Sequence, residues 1–135
     1  MPINLVVHQL LISSLNDPDS TIRAVTICTL RKLKSADPEG HYQMALILKN
    51  KDSWNMRYAH DALMELKPTD SKVVRELELL LQDSDSFTRR RALDILMVSQ
   101  VLKAKHRSML IALSEDPDKK VRETASKALE ALSNI

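Results

Sequence analysis

Apolar and polar positions along this chain recur with a period of 33 residues, and shifting the sequence by that amount aligns it with itself three times without a gap. Leu11, Met44, Leu77 and Leu110 share one column. Leu15, Leu48 and Leu81 share another, with Ser114 in the fourth place. Further along the unit, Thr26, Ala59, Ala92 and Ala125 align. So do Thr29, Ala62, Ile95 and Ala128, and after them Leu30, Leu63, Leu96 and Leu129. A polar column, Asp19, Asp52, Asp85 and Asp118, divides each unit in two, and a second, Asn4, Asp37, Asp70 and Lys103, opens it.

The pattern predicts one domain over residues 1–135, made of four units at approximately 4–36, 37–69, 70–102 and 103–135. Each unit reads as a helix A and a helix B. The opening Asn or Asp caps helix A, because its side-chain oxygen can take the orphan amides of the first turn. In the second unit, Asp37-Pro38-Glu39 supplies the cap, the proline favoured at the first helical position and a first-turn acid. A short polar turn follows, as in Asn16-Asp17-Pro18-Asp19 and Glu115-Asp116-Pro117-Asp118, and its last Asp caps helix B. The predicted helices are 4–15 and 20–34, 38–49 and 53–66, 71–82 and 86–100, 104–114 and 119–133.

At about 100° per residue, Ile22, Thr26, Thr29, Leu30 and Leu33 fall on one side of the first helix B, as do Val121, Ala125, Ala128, Leu129 and Leu132 of the fourth. The small residue at the Thr26, Ala59, Ala92 and Ala125 position lets helices approach closely. One hairpin cannot bury both of its apolar faces, whereas stacked hairpins can. The fold class is therefore all-α, a solenoid of four two-helix repeats with about eight helices.

Composition narrows the function. A single glycine argues against an all-β fold, whose tight turns need positive φ, and against a glycine-rich phosphate loop. A net charge of +2 does not suit a general polyanion binder. Cys28 has no partner for an intramolecular disulfide, which fits a reducing compartment, and it reads as a small buried or half-buried residue. The stretch Met1 to His8 has no basic region and no long apolar run. Neither a secretory signal nor a membrane span is expected, and a cytoplasmic, intracellular location is.

The search for catalytic chemistry turns up little. His8, His41, His60 and His106 form no HxxxH or HExxH spacing. His8 and His41 share a column and read as surface residues of neighbouring A helices. No metal-ligand set, cofactor motif or nucleophile motif is present, and the repeated Asp residues read as caps. The chain is read as non-catalytic. The run Arg89-Arg90-Arg91 suggests nucleic acid, but successive helical residues point about 100° apart, and only Arg90 lies opposite the core face.

The strings Asp17-Pro18-Asp19-Ser20-Thr21-Ile22-Arg23 and Asp116-Pro117-Asp118-Lys119-Lys120-Val121-Arg122 resemble the turn and second-helix start of HEAT repeats. The third unit keeps Asp83, Asp85, Arg89, Ala92 and Leu96 but has Thr88 at the apolar position. The second departs most, with Asn55 and Met56 where the apolar residue and the Arg belong. The short period is similar to that of phycobilisome-lyase-like HEAT proteins. The signatures of ankyrin and tetratricopeptide repeats are missing, and armadillo repeats are longer. The resemblance implies a right-handed α-α superhelix with the B helices lining its concave surface. It also implies a structural ladder in which Arg23, Arg89 and Arg122 pair with Asp residues of adjoining turns, beside the caps Asp19, Asp52, Asp85 and Asp118. Met56 would break that ladder.

The face of helix B opposite its core holds Thr21, Ala24, Cys28 and Arg31 in the first unit and Lys120, Glu123, Lys127 and Glu130 in the fourth. The two central units repeat a different recipe: Trp54, Arg57, Asp61 and Met64, then Phe87, Arg90, Asp94 and Met97. Trp54 and Phe87 are the chain's only Trp and only Phe. Aromatic, Arg and Met residues are enriched in interface cores, whereas a solvated helix face favours Lys and Glu. A structural reading stands beside this one: the aromatics could pack over the inter-helix turn, and Arg57–Asp61 and Arg90–Asp94 are i,i+4 pairs. The leading expectation is a protein-interaction or scaffold module that binds a peptide or helix of another protein on these eight residues. The alternatives are a nucleic-acid-binding helical repeat, an accessory subunit of a lyase-like enzyme, or a fragment of a longer solenoid. The sequence does not speak to the oligomeric state.

Overall fold

In a computed structural model of the chain, residues 4–50 and 53–133 are described. Among them the chain forms eight α-helices and no strand. They are α1 (Leu5–Ser14), α2 (Ser20–Lys32), α3 (Pro38–Ile47), α4 (Ser53–Leu66), α5 (Ser71–Leu80), α6 (Ser86–Val98), α7 (Arg107–Leu113) and α8 (Lys119–Ser133). Odd-numbered helices are the A helices and even-numbered ones the B helices. No described helix is long and apolar enough to cross a membrane.

Side-chain caps start the A helices. The side chains of Asn4, Asp37 and Asp70 accept from the amides of Val6, Glu39 and Lys72 at 2.7, 2.9 and 3.0 Å. Lys103, in the same column, has no acceptor to offer. There the chain enters through a 3-10 turn, Ala104–His106, and becomes α-helical only at Arg107. His106 Nδ1 accepts the Lys103 amide at 2.9 Å, so a ring nitrogen takes up that donor.

The ends of the B helices repeat as well. Lys34, Lys67 and Gln100 have φ of 53°, 51° and 58°. Each ends its helix in the left-handed region, usually the place of glycine. Behind Lys34 and Gln100, the amides of Ser35 and Val101 reach back to the carbonyls of Leu30 and Leu96 at 3.0 and 3.5 Å. Without glycine this recurrent stop leaves no sequence signature, and each such residue costs about 1 kcal/mol.

The helices stack in two layers. α2, α4, α6 and α8 pack in succession, while α3 packs against α5 and each A helix from α3 onward against its own B helix or turn. The Leu15, Leu48 and Leu81 column is buried, as are Met44, Leu77 and Leu110. Ala59, Ala92 and Ala125 are fully buried at the close approach of neighbouring helices.

Two sequence expectations need correction. Ile22 and Leu33, placed on the buried face of α2, are exposed, and Ile27, not placed there, is fully buried. Angular arithmetic finds the average inward direction of a B helix, but its burial comes from a neighbour on each side. In the described structure no helix lies on the Ile22 side of α2. In later pairs the same position, Asn55, Thr88 and Val121, is buried. The second correction is His41, read as a surface residue. It is buried, with Nε2 at 2.7 Å from the Ser35 carbonyl, because its position faces the loop entering α3.

Candidate functional site

The outer face of the B helices is built from the start of each helix upward. Asn55 and Ala59 point inward and are fully buried, which turns Trp54 and Arg57 outward on α4. On α6, Thr88 and Ala92 do the same for Phe87 and Arg90. Trp54 is 69% exposed and Phe87 57%. Arg57 and Asp61 are exposed, and Arg90 and Asp94 are half-buried. Met64 and Met97 are half-buried and pack against the core cluster. On the flanking helices the equivalent positions are Thr21, Ala24, Cys28 and Arg31 of α2, and Lys120, Glu123, Lys127 and Glu130 of α8, all four of the latter exposed.

Charges on this face are partnered within and across helices. Arg90 Nε lies 3.9 Å from Asp94 Oδ2. His60 Nδ1 lies 3.4 Å from Asp61 Oδ1. Arg31 of α2 pairs with Glu65 of α4. Burial pushes the Asp94 carboxyl above the usual carboxylate range, against the opposing pull of His60, Arg90 and Lys127. Burial also lowers His60 from its ordinary value, although Asp61 and Asp94 favour its charged form. His60, Arg91 and Lys127 thus belong to the electrostatics of this face, and the outward-face arithmetic omitted His60 and Arg91. Their signal was position along the stacking direction, which a single-helix projection does not carry.

The arginine run separates into three directions. Arg89 turns to Asp116, Arg90 to Asp94, and Arg91 lies over the Phe87 ring at 5.7 Å while its Nη1 reaches Met56 Sδ at 3.6 Å. The three guanidinium groups form no joint basic patch. An apolar groove of about 310 Å³ adjoins Met97, lined also by Gln100, Leu102, Ala128, Ala131 and Leu132. A larger hollow of about 580 Å³ lies among the loops after α2 and α4, with Ser35, His41, Glu65 and Asp70 in its lining.

At the turns, Asp19 accepts the Thr21 amide at 2.8 Å, Asp85 the Thr88 amide at 3.2 Å, and Asp118 the Lys120 amide at 2.8 Å. Asp52 lies outside the described residues. Arg89 spans two units, its Nε and Nη2 donating to Asp116 at 2.8 and 3.0 Å while Nη1 donates to the Asp83 carbonyl at 2.7 Å. Arg23 and Arg122 donate into their own turns, to the carbonyls of Asp17 and Pro18 and of Asp116 and Pro117. Burial raises the Asp116 carboxyl, but the hydrogen bonds from Arg89 and from the Asp118 amide outweigh it and hold the group below the usual carboxylate range.

This turn-and-arginine geometry recurs in the first, third and fourth units, and in the fourth the HEAT repeat matches residues 107–135. The chain carries a HEAT repeat. The matched unit holds Asp116, Asp118, Val121 and Arg122 together, whereas the central units have lost one or more of these types. The match does not single out the phycobilisome-lyase-like type. The crystal structure of an engineered protein has the same fold, with a TM-score of 0.62 and 20% sequence identity. The likeness covers 93% of this chain and 62% of that one, so this chain spans under two thirds of that protein's length. A search of curated proteins finds no match.

Proposed function

We propose that this HEAT solenoid is a non-catalytic interaction module that binds a helical segment of a partner protein on the outer face of α4 and α6, the concave side of the superhelix. The observation that carries this reading is the pair of exposed aromatics, Trp54 and Phe87, one repeat apart at the same register. A monomer has little reason to keep its only Trp and only Phe in water, and such residues anchor interfaces. Packed neighbouring helices lie about 8–10 Å apart, which matches about two turns of a bound helix. Apolar side chains at i and i+7 of the partner would meet the two rings. Arg57 and Arg90 would hold its acidic groups, with Met64 and Met97 giving adaptable packing. The lone thiol Cys28 suits action in the reducing cytoplasm.

Trp54 provides the readout. Peptides from a library of amphipathic helices with acidic flanks should shift its emission to the blue as the exposed indole is covered. The double variant Trp54→Ala, Phe87→Ala should keep its far-ultraviolet circular dichroism and lose peptide binding, followed with a fluorescent label on the peptide. Unfolding of that variant would make the aromatics structural and sink the reading. Salt-sensitive binding of generic duplex DNA, with no peptide binding, would transfer the face to nucleic acid.

A further inference from the structure

Contacts between neighbouring helix pairs have counterparts at the two ends of the stack, because the residues recur every 33 positions. Arg89 of the third pair donates from Nε and Nη2 to Asp116 of the fourth at 2.8 and 3.0 Å. One repeat on, Arg122 donates from Nη1 to the Asp116 carbonyl at 2.8 Å, as Arg89 does to that of Asp83. Among the described residues its Nε and Nη2 meet no hydrogen-bond acceptor. At the other end Asp17 stands in the Asp116 position and is half-buried. Its carboxylate accepts the Asp19 amide at 2.8 Å, as Asp116 accepts that of Asp118, but among the described residues no arginine pairs with it. The apolar columns run the same way. A Cβ on Gly40 would meet Ile12 at 3.6 Å, and His106 bonds Glu78, in the same two columns, at 2.8 Å. Those columns end in Ile111 on α7 and Val7 on α1, exposed at 50% and 46%.

We infer that the α7–α8 end of one copy stacks head to tail on the α1–α2 end of a second copy, with Arg122 on Asp17, Glu130 on Lys32 and Ile111 on Val7. Charge complementarity selects the occupant. Inside the chain, Arg31 on the earlier helix pairs with Glu65 on the later one. At the ends both signs are exchanged together: Glu130 takes the Arg31 position and Lys32 the Glu65 position. A pair of the Arg31 kind stacked on α1 and α2 would set an arginine against Lys32, whereas this chain's own last pair sets an acid there. Ser86 and Asp118 line one hollow at the third junction, and their end counterparts, Lys119 and Asp19, are again opposite in charge. The ion pairs Lys49–Glu76 and Lys72–Glu39 become Glu115 beside Leu10 and Lys105 beside Val6. All four residues are exposed, so the two long side chains can keep their charges in water. None of these contacts brings like charges together. Each copy uses two different ends, so the contact is heterologous and propagates instead of closing at two copies.

Sedimentation velocity of the whole chain tests this, from about 1 to 200 μM, a span suited to micromolar association. The expected result is a mass that rises with concentration from the 15.3 kDa of one chain past twice that value. Lys32→Glu, and independently Glu130→Lys, should keep the circular dichroism of the wild type and weaken the association about 10-fold or more, by setting like charges together. The double variant Lys32→Glu, Glu130→Lys restores the opposite signs and should recover the wild-type association. Ile111→Asp should weaken it about 100-fold, by burying a charge against Val7. A wild-type mass that stays at one chain throughout overturns the inference and leaves the α1–α2 end to a further repeat or a different protein. Growth that stops at two copies overturns it in favour of like ends meeting. A double variant no better than either single one overturns it as well.

Discussion

Ile22 and Val121 occupy the same place in the repeat and have the same β-branched apolar character, yet Val121 is fully buried and Ile22 is exposed. The contrast extends over both ends of the stack. The α1–α2 pair turns an apolar stacking face outward, and the α7–α8 pair ends in Arg107, Ser126 and Glu130. Burial in a solenoid is therefore a property of the junction between pairs rather than of the pair. A residue's local sequence decides which way it points, and the neighbour decides whether water is there.

Substitutions that compare one repeat position at two places can break this account. The largest effect belongs to the arginine column. Arg89→Ala removes both of its bonds to a buried Asp116 and should cost about 2–3 kcal/mol, because a buried carboxylate loses its ion-pair partner and keeps only the Asp118 amide. Arg122→Ala removes bonds to its own turn and should cost about 1 kcal/mol or less. Urea midpoints measure both, and equal losses would mean that the inter-pair bond adds nothing. Next comes the Ile22 position. Val121→Ala should cost about 2 kcal/mol and Ile22→Ala about 0.5–1 kcal/mol. Equal losses at the two positions would show that Ile22 is covered as Val121 is.

The middle of the stack should respond to pH in its own way. Burial lowers His60 from an ordinary value of about 6.5, so below that pH the unfolded chain binds more protons than the folded one. The His60 contribution to stability therefore falls as pH drops through about 6.5 toward the lowered folded value. Asp94 acts in the opposite sense at lower pH, since a carboxyl raised by burial favours the folded state as it becomes protonated. Urea midpoints taken between about pH 7.5 and 5.5 should decline less in His60→Gln than in the wild type, and an unchanged slope would remove His60 from the junction's electrostatics. The smallest effect is at the helix stops. Gln100→Gly should stabilise by about 0.5 kcal/mol, the relief of positive φ less the added entropy of the unfolded chain. A loss at that position would show that the side chain, rather than the backbone, matters there.

Caps and columns were legible because they are local. An Asn or Asp satisfies amides two or three residues away, so Asn4, Asp37, Asp70, Asp19, Asp85 and Asp118 announce helix starts whatever surrounds them. Lys103 offers no such acceptor, and where a helix was expected from residue 104 the chain enters α7 through a 3-10 turn. The candidate face was legible as residue types, since Trp54 and Phe87 break the repeat at matching positions. Its electrostatics were not, because His60, Asp94 and Lys127 stand on three different helices.

What the sequence alone determined is the helical unit, its period and the direction in which each helix carries its apolar stripe. These follow from hydrogen bonds and side-chain spacing within about four residues. Tertiary structure alone decided that Ile22, Val25 and Leu33 meet water while Val121 does not, that His41 and His106 are buried, and which carboxylate Arg89 reaches, that of Asp116. Those outcomes depend on which pair lies alongside, at separations of 27 residues or more along the chain for Arg89–Asp116 and His106–Glu78. No helical periodicity reaches that far.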